Sequence, residues 1–97
     1  RRLPFTDPAV TTEVNAVLDR IAANAPHPYP NMDGSVFRNR EGRLPAGGDY
    51  REYTVKTPGA SDRGARRVVL DVKTGKAWYT GDHYGSFQEI DPMKYCP

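Results

Sequence analysis

Ninety-seven residues leave room for one hydrophobic core, so residues 1–97 are expected to form a single domain. Charged residues at 27% and aromatic residues at 10% fit a folded globular chain rather than a disordered one. No apolar run approaches the roughly 18 residues of a membrane helix, so no membrane partner is expected. The net charge of +2 is modest, yet residues 36–67 hold eight Lys/Arg against four Asp/Glu. A local surplus of that kind suggests an anion site rather than a generally adhesive surface.

The chain begins Arg1-Arg2-Leu3 without a methionine, which reads as a processed product or a piece of a longer protein. "TDPAVTTEVNAVLDRIAANA", residues 6–25, predicts a helix. Asp7 suits the N-cap and Pro8 the first helical position. Val10, Val14, Val17, Leu18 and Ile21 recur at helical spacing and form one apolar stripe. "PHPYPNMDG" follows, and its prolines and Asp33-Gly34 predict loop and turn, with His27 in a structural role.

After Gly34 the period changes to two. "YREYTVKT", residues 50–57, places Tyr50, Glu52 and Thr54 on one face and Arg51, Tyr53 and Val55 on the other. "RRVVLDV", residues 66–72, sets Val68, Leu70 and Val72 on the core face, with Arg67, Val69 and Asp71 on a non-core face. Residues 73–76 predict a hairpin turn into "AWYTG", and "SFQEI" is a last strand. One N-terminal helix followed by consecutive short strands predicts an α+β domain, the helix packed on a small antiparallel sheet. Cys96 is the only cysteine, so an intramolecular disulfide is impossible and the core must hold the domain.

A mid-strand carboxylate such as Glu52 ordinarily faces solvent on a half-exposed sheet. The following strand alters that expectation. If the two strands pair as a hairpin, Glu52 and Arg67 share one face, with Arg63 and Arg66 just before it in "SDRGARR". A carboxylate beside guanidinium groups stays ionised and can act as a base, while the guanidiniums can hold a phosphate by paired hydrogen bonds. Gly59 and Gly64 bracket the segment and allow close backbone approach to a ligand.

His83, in "TGDHYGSF", would complete a set of base, anion clamp and acid. Asp82 beside it reads as a turn residue only. "VFRNREG", residues 36–42, is either an ordinary strand end and turn or a nucleobase pocket. In the second case Phe37 stacks on a base and Glu41 accepts two parallel N–H bonds from guanine. Two separated histidines and one terminal cysteine are too few for a metal-ligand cluster, so no metal and no cofactor are expected.

"PYPNMDGSVFRNREGRLP", "YREYTVKTPGASDRGARR" and "WYTGDHYGSF" occur in that order across about residues 26–91. On these motifs the chain resembles the bacterial guanyl-specific ribonucleases, the barnase-like microbial ribonuclease superfamily, and most closely the ribonuclease Sa group. The resemblance implies a metal-independent endoribonuclease that cleaves single-stranded RNA 3′ to guanosine through a 2′,3′-cyclic phosphate. It implies Glu52 as general base, His83 as general acid, and Arg63 and Arg67 as phosphate-binding arginines, with Arg66 a further candidate. Glu41 matches the guanine-reading carboxylate. Asn39 and Arg40 match positions whose backbone amides face the base, and Phe37 and Tyr84 match its aromatic neighbours. Arg38 departs from the usual glutamine, leaving backbone contacts and adding a cation.

The family's disulfide is also implied to be broken: its C-terminal partner survives as Cys96, and Asp7 stands where the N-terminal cysteine would be. The loop "LPAGGDY" is slightly short. By resemblance the chain is expected to be a monomer, either a secreted enzyme or a released toxin domain. An acidic inhibitor of the barstar type would cover Arg63, Arg66 and Arg67. The rival expectations are a catalytically inactive module of the same fold that binds RNA or protein, and a basic α+β interaction domain. The first would be expected to lack Glu52 or His83, and both are present.

Overall fold

Asp7 starts the helix as its neighbours require. Its Oδ1 accepts the Ala9 N–H at 2.9 Å, and Pro8 opens α1 (Pro8–Ala23), where its missing N–H costs nothing. The helix stops two residues short of the expected end. Asn24 takes the left-handed conformation (φ 51°), and its N–H and that of Ala25 turn back to the Ile21 and Arg20 carbonyls. This cap comes before the prolines, so they follow the end of the helix rather than cause it. The computed structural model describes residues 3–90; Cys96, and with it the disulfide question, lies outside them.

Among the described residues five strands follow: β1 (Ser35–Val36), β2 (Tyr50–Thr54), β3 (Arg67–Asp71), β4 (Ala77–Thr80) and β5 (Gln88–Ile90). They form one antiparallel sheet in sequence order. β1 is too short to show a period in sequence. Gly34 N–H to Glu52 O (2.8 Å) and Phe37 N–H to Tyr50 O (3.0 Å) extend its pairing with β2. The predicted hairpin after β3 is present. The Asp71 carboxylate accepts from the Lys73 and Asp49 amides and the Thr74 hydroxyl, and Gly75 takes φ 78°. Burial alone would raise the Asp71 pKa; these hydrogen bonds outweigh it and hold the carboxyl below its ordinary value.

One face of the sheet packs on the helix, bringing Val55, Val68, Ala77 and Ile90 against Val10, Val14, Val17 and Leu18. Each fully buried Val or Leu is worth about 1.5–3 kcal/mol. Val14, Val17 and Leu18 therefore dominate over the marginal propensity of a 16-residue helix.

The opposite face corrects the sequence expectation. Arg67, Val69 and Asp71 were expected to face away from a core, yet all three are buried. Val69 joins Leu44, Tyr50 and Trp78 in a second apolar cluster, with Phe37, Tyr84 and Phe87 packed against it. The loop after β1 and the segment after β4 fold over this face and cover it. Val72, assigned to the core face, lies past the end of β3 and is exposed.

Candidate active site

Glu52 and Arg67 project from the same face because the β2–β3 register pairs Glu52 with Val69 and Thr54 with Arg67. Arg63 reaches this face from the loop between the two strands. Its Nη2 lies 3.4 Å from Glu52 Oε1, and both side chains are largely buried, at 16% and 19% exposure. Its Nε donates to Thr54 Oγ1 at 2.7 Å, and its guanidinium lies 5.9 Å from the centre of the Tyr29 ring. Arg67 is deeper, at 2% exposure. Its Nη1 donates to the Gly64 and Arg66 carbonyls, while its Nε is buried without a hydrogen-bond partner among the described residues.

Behind this group stands Asp33, its side chain 1% exposed. Asp33 Oδ1 accepts from both the amide and the hydroxyl of Thr54 at 2.7 Å, and Oδ2 from the Tyr29 amide at 3.0 Å. Its Oδ1 is 3.9 Å from Arg63 Nη2, so the arginine sits between two carboxylates, Asp33 and Glu52. That pairing balances the largely buried guanidinium charge and places Glu52 directly against a cation.

His83 is exposed and stands in a left-handed backbone conformation (φ 54°), as does Tyr84 (φ 73°). The His83 amide donates to Ala65 O at 3.1 Å, which ties it to the segment between Arg63 and Arg67. Its ring packs on Tyr84 at 4.8 Å. The Tyr84 hydroxyl interacts with Glu52 and Arg67. Its pKa is pushed up to about 12, first by burial and then by the Glu52 charge and hydrogen bond. Tyr84 is thus more than an aromatic neighbour, because its hydroxyl end belongs to the charged cluster.

The turn is locked by Asp82. This carboxylate accepts from the Ser86 amide (2.9 Å), the Ser86 hydroxyl (2.8 Å) and the Thr80 hydroxyl (2.9 Å). These bonds, led by those from Ser86, lower its pKa to about 2.

Beside the charged cluster runs an aromatic wall. Phe37 lies 4.9 Å from Tyr84 and 5.9 Å from Phe87, ring centre to ring centre. The loop from Phe37 is closed by Asn39, in the left-handed region at φ 54°. Its side chain donates to Leu44 O (2.8 Å) and accepts from the Leu44 amide (3.0 Å). Glu41 sits exposed at the tip of that loop, 3.9 Å from Arg43, and Arg38 and Arg40 are exposed on either side of Asn39. An aromatic wall, a loop with an exposed carboxylate and a carboxylate–arginine cluster can together hold a base and a phosphate. Among the described residues, no group of three or more His, Cys, Asp or Glu is placed to hold a metal.

A ribonuclease family model matches residues 2–91. The chain belongs to the ribonuclease family. It is 48% identical over 85 residues to guanyl-specific ribonuclease Sa of Kitasatospora aureofaciens, covering 86% of this chain and 88% of that one. Ribonuclease St of Saccharopolyspora erythraea is 53% identical over 78 residues, 78% of this chain and 75% of that one. Ribonuclease Sa3 of K. aureofaciens is 47% identical over 86% of this chain, which spans only 60% of the Sa3 length. A solved structure of ribonuclease Sa2 with guanosine-2′-cyclophosphate superposes with a TM-score of 0.76 at 50% identity, covering 88% of each chain. Another, of Sa2 complexes with mononucleotides, gives 0.77 at 51% identity over 84% of this chain and 85% of that one. The helix on a small antiparallel sheet expected from sequence is the fold of these ribonucleases, with β1 added as a strand that the sequence did not mark.

Of the site residues read from sequence, the structure brings Glu52, Arg63, Arg67 and Tyr84 into one cluster and ties the backbone of His83 to it. Phe37 joins through Tyr84. Arg66 stands apart from this cluster. It precedes β3 on the face opposite Arg67, and its charge acts on Tyr79, a residue of the helix-side core. The parity of the strand carried that signal, since Arg66 alternates with Val68 and Leu70. Asp33, Thr54, Thr80 and Phe87 were not singled out, and Asp82 was read as a turn residue when it holds the turn together.

Proposed function

We propose that this chain is a guanyl-specific endoribonuclease that cleaves single-stranded RNA 3′ to guanosine. The observation that carries the reading is the Glu52–Arg63 contact at 3.4 Å on the sheet face that also holds Arg67 and the Tyr84 hydroxyl. Glu52 takes the proton of the guanosine 2′-hydroxyl. The freed oxygen bonds to the adjacent phosphorus, and the bond from phosphorus to the 5′-oxygen breaks. Arg63 and Arg67 stabilise the charge that develops on the phosphoryl oxygens. His83 gives its proton to the departing 5′-oxygen, leaving a 2′,3′-cyclic phosphate. Water then opens that ring with the two roles exchanged, His83 as base and Glu52 as acid.

Guanine lies against Phe37 and Tyr84, with its N–H groups on the Glu41 carboxylate and its carbonyl facing the amides of the 38–40 loop. For Glu41 to act, it must leave Arg43 and turn to the base. The relatives support this reading, since three are named guanyl-specific ribonucleases. The same reading makes the chain a secreted enzyme or a released toxin domain, monomeric. An acidic inhibitor of the barstar type would neutralise Arg63 and Arg67.

The test is cleavage of guanylyl- and adenylyl-containing dinucleoside phosphates in EDTA by wild type, Glu52→Ala and His83→Ala. EDTA-resistant cleavage after guanosine, with a cyclic phosphate product and both variants impaired, supports the reading. Equal activity in all three removes Glu52 and His83 from their roles. RNA binding without cleavage by wild type marks an inactive binding module instead.

A further inference from the structure

One row of side chains across the sheet is out of character for a strand interior. Thr54 pairs with Arg67, and Arg67 pairs with Thr80, so the three lie abreast on β2, β3 and β4. All are buried, at 1%, 2% and 1% exposure. Each threonine hydroxyl bonds one aspartate carboxylate and one N–H of the site, and Thr80 Oγ1 also accepts from the Asp82 amide at 3.4 Å. Thr54 Oγ1 contacts Asp33 Oδ1 at 2.7 Å and Arg63 Nε at 2.7 Å. Thr80 Oγ1 contacts Asp82 Oδ1 at 2.9 Å and the Tyr84 amide at 3.0 Å.

A hydroxyl has one proton, a carboxylate only accepts, and the arginine Nε–H and the amide only donate. The direction of every bond is therefore fixed: each threonine gives its proton to an aspartate and turns its lone pairs to an element of the site. Donation to a charged acceptor makes the hydroxyl oxygen a better acceptor in turn. The two threonines thus convert the charge of two aspartates into aimed acceptors. One holds Arg63 at Nε, while Nη2 of the same guanidinium faces Glu52. The other holds the amide of Tyr84, next to His83, in a segment where two successive non-glycine residues have positive φ. Such conformations persist only where the surroundings over-determine them.

We propose that Thr54 and Thr80 are positioning residues with separate tasks: Thr54 aims the phosphate-binding arginine Arg63, and Thr80 holds the acid-bearing turn of His83. The proposal rests on the ribonuclease reading above. The two tasks separate by leaving group. A 5′-nucleoside oxygen must be protonated as it departs, whereas a 4-nitrophenolate departs without a proton. The arginine clamp serves both.

The experiment compares guanylyl-3′,5′-adenosine with guanosine 3′-(4-nitrophenyl phosphate) on wild type, Thr54→Val, Thr80→Val and the two Thr→Ser variants, at a temperature where circular dichroism shows each folded. Thr54→Val is expected to lower kcat at least tenfold on both substrates, with KM changed less than threefold. Thr80→Val is expected to lower kcat at least tenfold on the dinucleoside phosphate and less than threefold on the nitrophenyl ester. Both serine variants are expected to return kcat to within threefold of wild type. Equal losses on both substrates in both valine variants, losses confined to stability, or failure of serine to rescue would overturn the proposal. A wild type that cleaves neither substrate would instead overturn the ribonuclease reading on which it rests.

If a valine variant does not fold, proton exchange in the wild type decides. The Arg63 Nε–H and the Tyr84 amide are expected to exchange at least tenfold more slowly than the Nε–H of exposed Arg38. Exchange as fast as that of Arg38 overturns the corresponding assignment.

Discussion

On the helix side of the sheet, Val14, Val17, Val55, Val68 and Ile90 are completely buried and the packing is apolar. On the other side, Thr54, Arg67 and Thr80 are buried almost as deeply, next to Val69 and Trp78. The first face is held by area removed from water, which has no direction and accepts many side chains of similar volume. The second adds to its own apolar cluster a row of buried hydrogen bonds, each of which fixes an angle and loses its worth when one partner is removed. Stability can therefore be spread over many residues of the helix side, while position is concentrated in a few on the other. Arg63, Arg67 and the His83 turn take their placement from the second kind of burial.

The sharpest way to separate the faces is to remove His83. His83→Ala is expected to lower kcat on guanylyl-3′,5′-adenosine about 10²–10⁴-fold, with little change in the thermal midpoint because the side chain is exposed. A large fall in the midpoint with kcat preserved would place His83 in the scaffold instead. The mirror experiment is Leu18→Ala, expected to cost about 2–5 kcal/mol in urea unfolding and to leave kcat unchanged wherever the protein is folded. Loss of kcat in the folded variant would show that the helix side also sets position.

Glu41→Ala is expected to reduce guanosine preference over adenosine about fivefold to 150-fold, the worth of about 1–3 kcal/mol for a paired base contact. Unchanged selectivity would remove Glu41 from base reading.

The smallest effect concerns Asp82. Its pKa lies at about 2 in the fold, below the ordinary 3.8, so the unfolded chain takes up the proton first as pH falls. Its contribution is complete above about pH 5 and is lost as the pH drops toward 2. Thermal midpoints of wild type and Asp82→Asn should therefore differ most near neutrality and converge at low pH. A constant difference would show that the Asp82 charge does not serve the turn.

The helix side was legible because burial leaves a period in the sequence. Val10, Val14, Val17 and Leu18 mark one stripe, and Val68 and Leu70 one strand face. The charged cluster on the other face was legible in part, since alternation put Glu52 and Arg67 on one side. The supports were not. Asp33 lies 21 residues from Thr54, and nothing local in "NMDG" marks its carboxylate as buried rather than turned to water. Thr54 and Thr80 look like ordinary strand threonines, and only the register that sets them abreast of Arg67 reveals their use. Asp82 looked local and was local, but its bonds to Thr80 and Ser86 depend on a left-handed backbone that no residue type there demands.

Strand order has a further consequence. Every strand pairs with its sequence neighbour, so the sheet forms by closing successive loops. The two longest of these are residues 37–49 and 55–66. The entropy of closing a flexible loop grows only with the logarithm of its length, about 0.6 kcal/mol for each doubling. The chain can therefore lengthen either loop at small thermodynamic cost. One carries Asn39, Arg40 and Glu41, and the other carries Arg63. Under the proposed function one of these loops would meet the base and the other the phosphate, so both contacts would lie on segments whose length the fold constrains least, leaving room for them to diverge on an unchanged sheet.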